Sequence, residues 1–169
     1  GTREQNGCGK FSGITTKALA EIKEMGVSHV WLTGVLEQAS LTSYPGIAAD
    51  DPLVMKGRAG SPYAIRDYFD VSADYADNPE TRLEEFSSLL DRCHEAGLKA
   101  VIDFVPNHVA RSYHSDICPA LNFGENDETS VFFNWGNNFY YLTGEGKMEL
   151  PNGEYKTEGP GRVTGNNAA

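Results

Sequence analysis

Apolar and polar positions follow the same rule twice along the chain. From Thr15 or Thr16, either of which suits a helix N-cap, Ala18, Leu19, Ile22 and Met25 recur at spacings of three and four, the period of one helix face. Gly26 ends that helix, and Val27-Ser28-His29-Val30-Trp31-Leu32 reads as a strand, with Val30 and Leu32 on its apolar side and His29 and Trp31 on the other. The pattern returns at Thr81-Arg82-Leu83-Glu84, which reads as a capping box. Leu83, Phe86, Leu89, Leu90 and Cys93 then form an apolar stripe, closed by Gly97 in the helix-terminating position that favours a positive φ. The run from Leu98 to Val105 predicts a strand buried on both faces, halted by Pro106, which has no ladder donor. Helix, glycine and buried strand, twice over, predict two αβ units of one parallel sheet.

Between and beyond these units the pattern breaks. Residues 33–80 are far more than the roughly 2–6 residues of an ordinary βα loop and carry Pro45, Gly46, Pro52, Gly57, Gly60 and Pro62. Long structured loops at that end of a parallel sheet tend to serve function. Gly1 to Gly13 reads as a polar loop. After His108, residues 109–169 lose helical period and predict short strands around Phe132, Phe133, Trp135, Phe139, Tyr140 and Tyr141, with a hairpin at Asn152-Gly153. Those aromatics suit a small core better than a sugar platform.

Asp103 is the anomaly in the second strand. A carboxylate inside an apolar run needs a partner to offset its desolvation. Asp103, Val105 and Asn107 share one face of an extended chain, and His108 opens the loop at the strand's carboxyl end, where parallel α/β proteins place ligands. The plainer reading makes Asp103 a brace and His108 a surface histidine. In Gly60-Ser61-Pro62-Tyr63-Ala64-Ile65-Arg66-Asp67-Tyr68, Pro62 stiffens the approach to Tyr63, whose ring offers a flat face to a pyranose; the plainer reading has Tyr63 and Tyr68 packing the loop down.

Composition narrows the chemistry. The 169 residues are 40% apolar and 11% aromatic, which suits a folded chain with a real core. A formal charge of -10 disfavours nucleic acid and anionic membranes, and no apolar run is long enough to span a bilayer. Neutral or cationic ligands fit better, sugars among the neutral ones, and the surplus of acids can also help hold a hard cation such as Ca²⁺. Cys8, Cys93 and Cys118 lack metal-ligand spacing; Cys93 falls on a core stripe, and a Cys8–Cys118 bridge is left open. Neither a phosphate-binding glycine loop nor a nucleophile elbow is present.

The Asp103-Phe104-Val105-Pro106-Asn107-His108 stretch, Asp-x-x-x-Asn-His, resembles the first signature of the α-amylase family of glycoside hydrolases, carried on the third strand of a (β/α)8 barrel. Ala96-Gly97-Leu98-Lys99, Thr33-Gly34-Val35 and Ser61-Pro62-Tyr63 to Asp67-Tyr68 extend that likeness over most of residues 7–114. The resemblance implies an α/β fold: a partial (β/α)8 TIM barrel of about the second to third strands over residues 1–108, with a domain B-like irregular β excursion over residues 109–169. It implies that His108 hydrogen-bonds the sugar before the scissile bond, that Tyr63 stacks on that sugar and that Asp103 braces the site. It also implies that Asn107 supplies a ligand to a structural Ca²⁺. The implied activity is retaining hydrolysis of starch-like α-glucans or maltooligosaccharides through a glycosyl-enzyme intermediate, with an extracytoplasmic or secreted location.

The family's nucleophile, acid/base and third carboxylate are expected on later strands, beyond Ala169, and its first strand before Gly1. The 169 residues alone are therefore expected to be inactive. Asp116, Glu125, Asp127 and Glu128 lie on no predicted rigid element and are not assigned to catalysis. Two other readings remain: a carbohydrate-binding protein without chemistry, using Tyr63, His108 and the tail aromatics, and a metal-dependent hydrolase built from Asp103, His108, His114 and Asp116.

Overall fold

A computed structural model describes residues 9–52, 55, 60–110 and 112–141, together with the backbone of 162–163. The Cys8–Cys118 bridge and the Asn152-Gly153 hairpin both involve residues outside the described ones.

The two αβ units are present. Helix α1 (Thr16–Glu24) begins where the Thr15 side chain accepts the Ala18 amide at 3.2 Å. It leads into β1 (His29–Leu32), while α2 (Arg82–Glu95) leads into β4 (Lys99–Ile102). β1 and β4 pair in parallel, from His29 opposite Lys99 to Leu32 opposite Ile102. Gly97 turns the chain between α2 and β4 at φ +71°, and Lys23 at the end of α1 donates to its carbonyl at 2.7 Å. The core sits between this sheet and the helices: Leu19 of α1, Phe86, Leu89 and Cys93 of α2, and Leu32 and Leu98. Met25, expected on the α1 stripe, lies instead at the helix C-cap and is exposed.

The residues between the units are not a bare loop. β2 (Leu36–Gln38) and β3 (Ile65–Val71) pair antiparallel within them, with register shifts on either side of Glu37. Gly34, at φ +69° just after β1, has Pro62 against the position a Cβ would take, so the start of this stretch and the turn before β3 meet where only glycine fits. Phe11, in the stretch read as a polar loop, forms a short 3₁₀ turn (Phe11–Gly13) and packs on Phe86 at 5.3 Å and Tyr75 at 5.9 Å.

Three expectations need correction. Thr81 makes no side-chain cap; Asn78 accepts the Glu80 amide, and the Glu85 carboxylate accepts the Asp77 and Asn78 amides. The cap moves upstream because Pro79 opens a 3₁₀ turn (Pro79–Thr81) that runs into α2. β4 is not buried on both faces. Helices cover one side of the β1–β4 pair, and among the described residues no layer covers the other, so the paired Trp31 and Val101 are exposed; Ile102, opposite the buried Leu32 on the helix side, is exposed at the strand's end, as is Phe104 beyond it. Finally, the tail aromatics form a small core only in part: Tyr141 is buried and Phe139 half-buried, but Phe132, Phe133, Trp135 and Tyr140 are exposed, with Tyr140 ringed by Phe132 and Phe133 at 5.6 and 5.7 Å. Near them β5 (Tyr140–Tyr141) pairs antiparallel with β6 (Arg162–Val163).

Candidate functional site

β4 ends at Ile102, and the parallel pairing runs one step further, the Asp103 amide donating to the Leu32 carbonyl at 3.2 Å. The chain from Asp103 to His108 is irregular, as Pro106 requires. Tyr68 of β3 fixes this exit. Its hydroxyl donates toward the carbonyls of Val105 at 2.6 Å and His108 at 3.2 Å. Its ring lies 5.3 Å from Phe104 and 6.0 Å from Phe123, which in turn stacks on Tyr113 at 4.7 Å. β3 also anchors the chain beyond His108, because the Ile65 and Arg66 carbonyls accept the amides of Ala110 and His114 at 2.7 and 3.0 Å.

These contacts shape a cleft of about 630 Å³ whose walls include Tyr68, Phe104, Asn107, His108, Phe139 and Tyr140. Asn107 is exposed, and its Nδ2 lies 3.4 Å from Nδ1 of the half-buried His108. Burial pushes the Tyr68 phenol above its ordinary range, which keeps it a protonated donor. Aromatic walls with an amide and an imidazole at the rim can stack on a sugar ring and hydrogen-bond its hydroxyls. No carboxylate is among the described residues lining the cleft, so the cleft as described can bind but has no acid or nucleophile of its own.

A second polar centre lies under β3. Glu37 of β2, Asp67 and Asp70 of β3, and Asp116 of the excursion each offer an oxygen, and the four lie within 4.8 Å of one another. Two guanidiniums hold this group in place. Arg82 of α2 pairs with Asp70 through Nε at 2.7 Å and also through Nη2, and reaches Asp116 at 3.3 Å. Arg66 lies 3.4 Å from Glu37 and 3.6 Å from Asp50. Burial drives the Glu37 carboxyl up to about 8, against the pull of Arg66 and with added push from Asp70, Asp116 and Asp67. Burial also raises Asp67, opposed by the Phe69 amide and the Ser115 hydroxyl. Arg82 is held above its usual value: burial works to lower it, and the Asp70 contact outweighs burial.

The structure therefore gathers only part of the predicted set. His108 and Asn107 share the cleft; Tyr63, exposed on the segment before β3, is not among its lining residues. Asp103 is neither inside β4 nor fully buried; it lies one residue past the strand, half-buried, because the uncovered face of β4 leaves that edge open to solvent. The metal set Asp103, His108, His114 and Asp116 does not converge: His114 Nδ1 contacts Asn122 at 2.9 Å, Asp116 contacts Arg82, and His108 lines the cleft. Sequence reasoning missed Glu37, Asp67 and Asp70, and underrated Tyr68. The signal was available in Ile65-Arg66-Asp67-Tyr68-Phe69-Asp70-Val71, whose aromatic and β-branched residues favour a strand once the charges are allowed partners.

A family model described as the alpha-amylase catalytic domain matches residues 2–156. Maltase 1 of Drosophila virilis is 30% identical over 103 residues, covering 61% of this chain and 12% of its own length. An alpha-glucosidase of Pediococcus pentosaceus is 26% identical over 149 residues, 88% of this chain and 21% of that protein. The crystal structure of an alpha-amylase from Lactobacillus plantarum superposes with a TM-score of 0.48 at 30% identity, over 66% of this chain and 22% of that one. The chain thus spans 12–21% of the length of these two curated relatives.

Proposed function

The chain belongs to the alpha-amylase family, and we propose that it forms the sugar-gripping part of a retaining α-glucan hydrolase. The observation that carries this reading is the aromatic cleft at the carboxyl end of β4, with Asn107 and His108 at its rim and no carboxylate in its described lining. His108 hydrogen-bonds a hydroxyl of the glucosyl unit before the scissile bond, while Tyr68, held by the Val105 and His108 carbonyls, fixes the loop that presents the imidazole. Tyr63, exposed on the segment before β3 and outside the cleft's described lining, is assigned to the same sugar on the family likeness alone, and Asp103 steadies the exit of β4. The names of the relatives, a maltase and an alpha-glucosidase, support α-linked glucose as the substrate class.

Retaining hydrolysis needs two carboxyl groups about 5–5.5 Å apart at the sugar. That pair belongs to parts of the catalytic domain outside these 169 residues; β1 and β4 serve as the second and third strands of a (β/α)8 barrel, and residues 109–169 as its domain B-like excursion. Glu37 is no substitute acid: its carboxyl is buried against Arg66 and is not in the cleft lining. A Ca²⁺ at Asn107 enters only as one side-chain carbonyl ligand. The group of carboxylates that converges among the described residues lies elsewhere, and no step here runs through a metal.

Maltooligosaccharide hydrolysis, read as released reducing ends, tests the reading. The 169-residue chain is expected to release none, and to bind maltotetraose weakly in a manner lost in His108→Ala. Turnover that disappears on replacing a carboxylate within the 169 residues would overturn the assignment.

A further inference from the structure

The carboxylate group under β3 has a geometry the sugar-binding reading does not use. Oxygens in one Ca²⁺ shell, each 2.3–2.6 Å from the ion, are at most roughly 5 Å apart, whereas the tighter Mg²⁺ shell spans only about 4.2 Å. The oxygens of Glu37, Asp67, Asp70 and Asp116 lie within 4.8 Å of one another, the spread of the larger ion.

A second observation points to a missing ligand. Glu37 Oε2 and Asp67 Oδ2 have no hydrogen-bond partner, although Glu37 is only 4% exposed and Asp67 not exposed at all. A buried oxygen without a donor is costly, and a cation is the group that would receive both. The charges agree. With Glu37 deprotonated, as binding a cation requires, four carboxylates face Arg66 and Arg82, an excess of two negative charges, and Asp50, which shares Arg66, adds a third. Asp116, with a side chain 37% exposed, gives the site a path to solvent.

We propose that Glu37, Asp67, Asp70 and Asp116 bind one Ca²⁺, tying β2, β3 and the segment around Asp116 together. Glu37 and Asp67 supply the free buried oxygens, Asp116 closes the mouth, and Arg82 holds Asp70 in place. This site is separate from Asn107.

Calorimetric titration of the chelator-stripped chain with CaCl2, paired with thermal unfolding in Ca²⁺ and in Mg²⁺, tests it. The expected result is one Ca²⁺ per chain, a higher unfolding temperature in Ca²⁺, and a smaller rise in Mg²⁺. Glu37→Gln and Asp67→Asn should each weaken binding by roughly tenfold or more, since affinity follows ligand charge. Asp116→Asn alters a solvent-facing residue, so it keeps the test alive if the buried variants misfold; it should weaken binding severalfold. Asn107→Ala should leave binding unchanged. No saturable Ca²⁺ binding up to about 10 mM, beyond the weakest sites such modules use, would overturn the proposal. So would binding untouched by the carboxylate variants, binding lost only in Asn107→Ala, or Mg²⁺ bound as tightly as Ca²⁺.

Discussion

β3 and β4 invert what their compositions suggest. β4, Lys99-Ala100-Val101-Ile102, is mostly apolar, yet Val101 and Ile102 are exposed. β3 carries Arg66, Asp67 and Asp70 within seven residues, yet both aspartates are buried. Neighbours explain the difference. β4 has, among the described residues, nothing on the face that carries Val101, and on the helix side Ile102 lies at the strand's end, exposed although its partner Leu32 is buried. β3 is pressed between β2, α2 and the excursion, and its aspartates are met by Arg82, backbone amides and Ser115. Hydropathy reports what a side chain would prefer; the packing partners decide what it gets.

The largest effect should come from breaking the polar side. Asp70→Ala leaves the Arg82 guanidinium buried without its main partner, and urea unfolding should show a loss of about 3–5 kcal/mol. Replacing both, Asp70→Leu with Arg82→Met, should recover most of that loss, because a packed apolar pair removes the desolvation cost along with the attraction. A double variant no better than the single would mean that the pair itself, not the stranded charge, carries the stability.

Next comes pH. Glu37 faces Arg66, Asp67, Asp70 and Asp116, and its folded carboxyl titrates near 8 against 4.5 for the free group. Between those values the folded chain holds a proton that the unfolded chain releases, so stability falls as pH rises from about 5 to about 8. In chelator the loss should be on the order of 2–4 kcal/mol, and Glu37→Gln should flatten the slope. Stability that rises over this window would contradict the buried, proton-binding state of Glu37.

Smaller effects sharpen the other side of the contrast. Tyr68→Phe removes the hydroxyl that bridges β3 to the β4 exit and should cost about 1 kcal/mol in denaturant unfolding. Val101→Thr on the open face of β4, opposite the exposed Trp31, should change stability by under about 0.5 kcal/mol, as at an ordinary surface position. A loss of core size at Val101 would show that this face is covered after all.

The repeated helix, glycine and strand were legible because local signals and packing agree there: Leu19, Leu89 and Cys93 sit on predicted stripes and are fully buried, and Gly26 and Gly97 take the positive φ their positions demanded. The position of Asn107 and His108 just past a strand's carboxyl end was legible for the same reason, and both line the cleft there. The antiparallel β2–β3 pair was hidden, since its pattern of Glu37, Arg66, Asp67 and Asp70 makes sense only once strands distant in sequence bring opposite charges together. Asp103 shows the converse: an apolar run does not by itself prove two covered faces, because the second face needs a layer that the run cannot supply.

Chemical-shift mapping by NMR during titration with maltotetraose tests the sugar cleft most directly. Perturbations centred on His108, Asn107, Phe104 and Tyr68, with the Glu37 and Asp67 region unmoved, are the predicted result. Shifts confined to the exposed Phe132, Phe133 and Trp135 surface, or no saturable shift at all, would contradict it.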